Sequence, residues 1–435
     1  MKTSFAAISA TTAFLFLSLT AHAADLAGSW KGTWTKDGDA LPVTVKIEST
    51  NKGYSGSFDS DALQVAGIPF SEVTEKNGKV HILLKGDETT TVFDGDLAGD
   101  ALGGAFTEGD TKGTFALTRA ALPTAAIGMR EVTYRNGDVT LAGTLLLPAP
   151  PGRHPAVLFL HGSGPEGRWA NRWLAQKFAE AGIVALISDK RGVGRSTGDW
   201  NKVGFDDLAD DAVAGIRALQ SQPEVDPSRV GTYGHSQGGT ISPLVAERAG
   251  DIAFVVASAP GGVSPADMET YSVENSIGVP SLPPAEAKAA KEFVHAIVDV
   301  GYRGTPRDEL DRVSAKYKTR AWYFDPPPPE NSYWTIARLI ANFEPMMHWR
   351  NVRAPVLLIF GSHDERVPSV LSASAIRAAL FQGAHREKRQ MQATVKFYQD
   401  ADHTFTIVDP PRKGGWPRHE NDYAGMITSW ILSQK

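Results

Sequence analysis

A serine stands between two glycines in the stretch V-G-T-Y-G-H-S-Q-G-G-T, residues 230–240. A hydroxyl group lifted clear of a sheet edge needs a sharp strand-to-helix turn, and the strained backbone of that turn tolerates only small neighbours. Gly234 and Gly238 are such neighbours, so we interpret Ser236 as a candidate nucleophile. Apolar residues at helical spacing follow and place the amide of Gln237 at a helix N-terminus, where developing negative charge is favoured. This amide is a candidate oxyanion donor.

A carboxylate and a histidine follow the serine in the chain, each after a largely apolar run. Residues 355–360 lead into G-S-H-D-E-R-V-P, which contains Asp364, and residues 394–398 lead into D-A-D-H-T-F, which contains His403. A carboxylate that orients a histidine must reach Nδ1 while Nε2 faces the serine, so it should come from a neighbouring strand end. An acid adjacent to the histidine is badly placed because successive side chains diverge. Asp364 is therefore favoured over three other acids: Glu365, Asp400 and Asp402.

The elements that must position these groups are short apolar runs alternating with helical patterns. Such runs are typical of parallel strands buried on both faces. They lie at residues 156–160, 183–187, 252–257, 355–360 and 394–398, in addition to the run before Ser236. The alternation predicts an α/β fold with a mostly parallel sheet and helices on both faces.

The strand pattern stops at about residues 261–350, which predicts a helical cap inserted into the sheet domain. We expect one helix opened by Pro283-Pro284, one opened by a capping box at residues 305–308, and a third that contains Tyr333 and Ile340. The segment is also aromatic, with Trp322, Tyr323, Phe324, Trp334 and Trp349. A cap of this kind commonly shapes an apolar substrate pocket.

Two loops near the expected sheet edge have unusual compositions. H-G-S-G-P, residues 161–165, follows a buried strand, and its small residues allow backbone amides to approach a ligand closely. D-K-R-G-V-G-R-S, residues 189–196, is charged, and we expect its basic side chains to pair with acids rather than to bind an anion. The available acids are Asp189, Asp199, Asp206, Asp207, Asp210 and Asp211.

The first part of the chain has a different sequence pattern. Short alternating segments separated by Gly, Asn and Asp turns predict a small antiparallel β domain at residues 24–122. A Pro-containing link at residues 120–124 separates it from the domain at residues 128–435. We expect the β domain to have its own core, and therefore a chain that begins near Thr124 to keep activity on small soluble substrates.

The first 23 residues resemble a secretory signal peptide. They contain Lys2, an apolar run at residues 5–19 and the cleavage signal Ala21-His22-Ala23. The run is shorter than the roughly 20 residues that a spanning helix needs, so we expect no stable membrane anchor. These features predict an exported protein, periplasmic or secreted.

Composition excludes several classes of function. The formal net charge is −5, or −6 once Lys2 is removed, which is too modest to indicate nucleic acid as a partner. The absence of cysteine excludes thiol catalysis and thiolate metal sites. The eleven histidines are scattered, and no phosphate-binding or dinucleotide glycine loop follows a strand, so we expect no metal and no other cofactor.

From about residue 128 onward the chain resembles the α/β-hydrolase superfamily, in its capped esterase and serine-aminopeptidase-like, prolyl-oligopeptidase-related branch. Five motifs carry the resemblance by their shared order: H-G-S-G-P, D-K-R-G-V-G-R-S, G-H-S-Q-G-G, G-S-H-D-E-R-V-P and D-H-T-F. It implies that Ser236 attacks an acyl carbonyl, His403 transfers its proton and Asp364 orients the histidine. It also implies an oxyanion hole formed by the amide of Gln237 with that of Ser163 or Gly164. Many relatives have glycine where this chain has Asp402.

Three functions remain as hypotheses. The first is a carboxylic ester hydrolase that acts on a small-molecule ester through a Ser-His-Asp triad. The second is a capped serine aminopeptidase, which needs a cap carboxylate for the substrate ammonium group. Its candidates are Glu269, Glu274, Asp325, Glu330 and Glu344. The third, disfavoured by the intact order of the triad, is a ligand-binding protein built on an inactive hydrolase scaffold.

Overall fold

The computed structural model describes residues 25–86, 89–121 and 127–434. The signal peptide expected at residues 1–23 lies outside the described residues, as does most of the expected link, residues 122–124. Within the part that is described, no helix combines the length and the apolar composition needed to cross a membrane.

The chain first forms one antiparallel sheet of nine strands, called the β domain below. Its strands are β1 (Gly28–Lys36), β2 (Asp39–Thr50), β3 (Gly53–Ser60), β4 (Val65–Pro69), β5 (Glu72–Lys76), β6 (Lys79–Lys85), β7 (Thr90–Ala98), β8 (Ala101–Glu108) and β9 (Thr111–Ala120). They lie in the order β4-β3-β2-β1-β9-β8-β7-β6-β5. Alternate side chains face one core that is rich in aromatic rings: Trp30, Trp34, Phe58, Phe93, Phe106 and Phe115.

A second sheet, of eight strands, carries the candidate catalytic residues. Its strands are β10 (Ile127–Asn136), β11 (Val139–Pro148), β12 (His154–Leu160), β13 (Val184–Ser188), β14 (Val225–His235), β15 (Val255–Ser258), β16 (Val356–Gly361) and β17 (Ala393–Tyr398). Their order is β10-β11-β13-β12-β14-β15-β16-β17. The first two form an antiparallel hairpin, and the other six are parallel to one another. The loops that follow β12, β14, β16 and β17 therefore meet at one edge.

Ten α-helices accompany the sheets in the described residues. They are α1 (Arg172–Glu180), α2 (Phe205–Gln220), α3 (Gln237–Ala249), α4 (Pro265–Ser276), α5 (Pro284–Tyr302), α6 (Arg307–Tyr317), α7 (Ser332–Ile340), α8 (Pro345–Trp349), α9 (Ser369–Arg386) and α10 (Tyr423–Ser433).

Helices cover both faces of the eight-stranded sheet, which explains why the strands β12, β13, β15 and β16 are buried along almost their whole length. Val157 and Phe159 of β12 pack in a core shared with α1 and α10. Leu158, between them in sequence, packs in the core that α2 and α3 cover on the other face. The predicted architecture, a mostly parallel sheet with helices on both faces preceded by a small antiparallel β domain, is confirmed.

Helices α4 to α8 lie between β15 and β16, in the segment expected to be a cap. The three expected cap helices correspond to α5, α6 and α7, whereas α4 and α8 were not expected. The prediction of a capping box is wrong: α6 begins at Arg307 after Pro306, and no side chain caps its N-terminus. Trp322 and Trp334 pack in the cap core, but Trp349 packs against the sheet domain instead.

The buried residues of the β-domain core all lie between Leu26 and Leu117, but side chains of the sheet domain contact the β domain. Trp416, in the loop between β17 and α10, packs against the aromatic core of the β domain. The Nε1–H of Trp173 in α1 donates a hydrogen bond to Asp61, at 2.8 Å. That a chain beginning near Thr124 keeps activity on small soluble substrates stays a prediction, and such a chain would lack these contacts.

Candidate active site

Ser236 occupies a strained turn between β14 and α3. Its φ is 55° and its ψ is −118°, a conformation that is costly for a residue with a side chain. The turn is possible because its neighbours have no side chains. A Cβ at Gly234 would lie 2.4 Å from the backbone of Gly238, and one at Gly238 would lie 2.7 Å from the carbonyl oxygen of Leu160. The glycines therefore set how closely α3 can approach the strands beneath it.

Ser236, His403 and Asp364 form one chain of hydrogen bonds. His403 Nε2 lies 3.0 Å from Ser236 Oγ, and His403 Nδ1 lies 2.8 Å from Asp364 Oδ2. The acid and the histidine are buried, with 4% and 6% of their surfaces exposed. The second carboxylate oxygen of Asp364 accepts the backbone N–H groups of Arg366 and Val367, each at 2.8 Å. The carboxylate is thus fixed by its own loop as well as by the histidine.

The other three acids near His403 have different positions. Asp402 Oδ1 accepts hydrogen bonds from the amides of Thr404 and Thr406, at 2.8 and 3.0 Å, and closes the turn that carries the histidine. Glu365 and Asp400 are exposed. Asp364 is thus the acid that contacts the imidazole.

His235, a residue that the sequence reasoning did not single out, packs beside the candidate histidine. The two rings are 4.9 Å apart between centroids. Burial, followed by the proximity of His403, lowers the pKa of His235 to about 3, so its ring is neutral at ordinary pH. Its Nδ1 lies 3.2 Å from Ser258 Oγ, which is 2.7 Å from the hydroxyl of Tyr423. A neutral, anchored ring thus packs against one side of His403.

The loop at residues 161–165 is held from one side by Lys190, which is 1% exposed. Its Nζ donates hydrogen bonds to the carbonyl oxygens of Gly162 and Gly164, both at 3.0 Å. Burial lowers the pKa of this lysine to about 8, although the nearby Glu166 opposes the shift. In a trans peptide the N–H points opposite to the preceding carbonyl, so the amide of Ser163 faces away from Lys190.

The basic residues around this loop have two kinds of partner. Arg191 and Asp211 form an ion pair at 2.6 Å, in agreement with the prediction that basic side chains of this segment pair with acids. Lys190 does not follow that expectation, because it binds backbone carbonyl groups. His161 Nε2 lies 2.6 Å from the carbonyl oxygen of Ser188, and burial lowers the pKa of its ring to about 4. This contact gives His161 a structural role.

Of the five cap acids considered above, Glu269 is tied most closely into the cap. The hydroxyl of Tyr333 donates a hydrogen bond to its Oε1 at 2.9 Å, and burial raises the pKa of the carboxyl group. Glu274 lies 3.7 Å from Lys291, and the remaining three are exposed: Asp325, Glu330 and Glu344. In the described parts of the chain, no group of three or more His, Asp and Glu side chains could hold a metal ion.

A comparison with protein families identifies the lineage of this site. The family model described as "Serine aminopeptidase, S33" matches residues 152–409, which is more than half of the chain and includes Ser236, Asp364 and His403. The chain belongs to the serine aminopeptidase S33 family. The resemblance to capped α/β-hydrolases is confirmed, and this S33 protein is a member of a family of serine hydrolases.

Similar proteins carry both peptidase and esterase names. The uncharacterized peptidase YtmA of Bacillus subtilis is 25% identical to the S33 protein over 313 residues, which cover 72% of this chain and 96% of YtmA. The esterase EstD of Thermotoga maritima is 25% identical over 247 residues, 54% of this chain and about half, 53%, of EstD. The solved esterase Pf2001 of Pyrococcus furiosus covers 71% of this chain and 91% of its own, with 18% identity and a TM-score of 0.43.

The close packing at the turn yields a stability prediction for the S33 protein. Gly234→Ala should lower the free energy of unfolding by about 1–3 kcal/mol, because the added methyl group meets backbone atoms that cannot rotate away. Gly425→Ala is the matched control, since a Cβ there meets nothing within 4 Å and the residue lies in α10. The control should be neutral or slightly stabilising. Thermal melting measures the change in stability of both variants. Equal changes in Gly234→Ala and Gly425→Ala would contradict the prediction.

Proposed function

We propose that this S33 protein is an exported carboxylic ester hydrolase in which Ser236 is the nucleophile, His403 the general base and Asp364 the orienting acid. The observation that carries the proposal is the pair of hydrogen bonds, 2.8 and 3.0 Å long, that joins the three side chains in that order. The strained backbone of Ser236 supports it, because strain of this kind persists where function requires it. The leader-like residues 1–23 support export.

The chemistry proceeds through an acyl-enzyme. Ser236 Oγ attacks the acyl carbon while His403 Nε2 accepts the hydroxyl proton. Collapse of the tetrahedral intermediate expels the alcohol, which takes that proton, and leaves the acyl group on the serine. Water then attacks in the same way and releases the carboxylic acid. Asp364 holds the histidine with its proton on Nδ1 and stabilises the imidazolium.

Two backbone amides are proposed to bind the developing oxyanion. Gln237 supplies one, because its N–H begins α3, where the helix dipole favours negative charge. Ser163 is favoured over Gly164 for the other, because Lys190 holds the preceding carbonyl and turns the Ser163 N–H to the opposite side. Gly162 is disfavoured, since its N–H donates to Glu166 at 2.8 Å.

The state of Glu269 favours an ester over an aminoacyl substrate. A cap carboxylate binds an ammonium group well only when it is ionised and free to accept its hydrogen bonds. Burial raises the pKa of Glu269, which disfavours the charged form, and Tyr333 already donates a hydrogen bond to one carboxylate oxygen. The aminopeptidase remains the second candidate because Glu269 is a partly buried acid of the cap. A ligand-binding protein on an inactive scaffold would not require the strained backbone of Ser236.

Two substrate series distinguish these candidates. The wild-type protein should turn over 4-nitrophenyl esters of short acids faster than aminoacyl 4-nitroanilides. Ser236→Ala should lose about a millionfold in turnover and all labelling by a fluorophosphonate probe. If the wild-type protein turns over the anilides faster than the esters, and Glu269→Gln abolishes anilide turnover, the protein is a peptidase instead. Near-wild-type ester turnover by Ser236→Ala would remove the serine from the mechanism.

The assignment of the acid has its own test. Asp364→Asn should lower ester turnover by roughly 10⁴ near neutral pH, because the imidazole then adopts the wrong tautomer. Asp402→Asn should have a far smaller effect, since the amide oxygen still accepts the N–H groups of Thr404 and Thr406. Turnover is compared between variants with matched melting temperatures. The opposite ranking would make Asp402 the orienting acid.

A further inference from the structure

The loop between β17 and α10 leaves the sheet domain and docks on the β domain. Its Trp416 packs against the β-domain core, with ring centroids 6.0 Å from Phe106 and 6.3 Å from Trp34. The ammonium group of Lys36 lies 4.1 Å above the indole, a favourable cation–π distance. The indole thus completes an aromatic cluster that belongs to the other domain.

Hydrogen bonds fix the same loop to the turn between β1 and β2. Trp416 donates its backbone N–H to Asp39 Oδ2 at 3.0 Å and its Nε1–H to the Asp39 carbonyl oxygen at 3.1 Å. The backbone N–H of Gly415 donates to Asp37 Oδ2 at 3.1 Å, and Arg412 forms an ion pair with Asp39 at 2.8 Å. The Trp416 amide, with Arg412, lowers the pKa of Asp39 below its usual range. Both apolar and polar contacts therefore hold the tip of the loop.

The other end of this loop is the turn that carries His403. Residue 407 bridges to Ala401 on one side and donates its N–H to the Arg418 carbonyl oxygen at 2.7 Å on the other. The amide of Asp402 donates to the carbonyl oxygen of Thr406 at 3.0 Å. The segments on both sides of the docked tip thus pair with the backbone next to the histidine.

We propose that the β domain is a positioning element for His403 and that Trp416 is the residue through which it acts. The inference rests on the proposed role of His403 as general base. Docking of Trp416 fixes residues 409–418, and their paired ends fix the turn at residues 402–406. Because a shift of about 1 Å at a catalytic group can lower the rate about 10²-fold, restraint of this loop affects the chemical step.

A different contact holds the domains together without reaching this loop. Asp61 of the β domain accepts the Trp173 Nε1–H at 2.8 Å and pairs with Lys177 at 2.9 Å, and both partners lie in α1. This contact supplies a control, because its loss weakens the interface between the domains and leaves residues 409–418 docked.

Kinetics of the full-length protein test the proposal with 4-nitrophenyl acetate as the substrate. Trp416→Ala should lower kcat by roughly 10²-fold with little change in KM, because the serine, the oxyanion loop and the cap are untouched. Asp61→Ala should keep kcat within about twofold. Asp39→Ala removes the carboxylate but keeps the indole, so it should lower kcat less than Trp416→Ala does. If Trp416→Ala fails to fold, Asp39→Ala takes its place in the test. Unchanged kcat in folded Trp416→Ala, or in Asp39→Ala if only that variant folds, would overturn the proposal.

A disulfide provides a rescue that distinguishes positioning from stability. A Cβ at Gly414 would lie 3.6 Å from the Cβ of Asp37, within the range of about 3.5–4.5 Å that disulfides require, and the chain has no other cysteine. In the Trp416→Ala background, oxidised Asp37→Cys with Gly414→Cys should restore most of kcat, and dithiothreitol should remove the gain. Restored melting temperature without restored kcat would reduce Trp416 to a structural residue.

Labelling by a fluorophosphonate probe distinguishes an incorrect role for Trp416 from an incorrect assignment of the nucleophile. If Ser236 is not the nucleophile, the wild-type protein is not labelled by a fluorophosphonate probe at that serine. If the probe labels the wild-type protein normally and Trp416→Ala is labelled at the same rate, the triad stands and the coupling to the β domain is refuted.

Discussion

The hydrogen bond between His403 Nε2 and Ser236 Oγ joins residues that are 167 positions apart, and the candidate site depends on it. Parallel strands β14 and β17 bring the two residues to the same edge of the sheet, and β16 brings Asp364 to that edge too. Local hydrogen bonds then fix each turn. The loop of Asp364 is closed by its own carboxylate, and the turn of His403 is closed by Asp402. The geometry of the candidate site therefore depends on several loops, each closed by its own local hydrogen bonds.

Much of this arrangement could be predicted from local sequence. The Gly-x-Ser-x-Gly spacing indicates a strained turn because only glycine fits where a Cβ would meet backbone, as it would at Gly234. Buried parallel strands are recognisable because both of their faces are apolar. The preference for Asp364 over Asp402 followed from the divergence of successive side chains, and in the structure Asp364 contacts the imidazole while Asp402 binds backbone amides.

Other features depend on contacts that local patterns do not contain. Trp416 and Asp39 are 377 positions apart, and a tryptophan in a loop rich in Gly and Pro gives no sign of its distant partner. Lys190 lies in a run of charges, so pairing with an acid was the natural expectation, but burial beside the loop at residues 161–165 directs it to carbonyl oxygens. Each of these outcomes is set by tertiary packing.

If Ser236 is the nucleophile, it becomes acylated during ester hydrolysis. The most direct measurement is to quench the wild-type protein with acid within milliseconds of mixing with a 4-nitrophenyl ester, digest it and locate the acyl group by peptide mass mapping. We expect an acyl group on the peptide that contains Ser236, formed together with a burst of 4-nitrophenol. An acyl group on another residue, or steady turnover with Ser236 unmodified at every quench time, would contradict it.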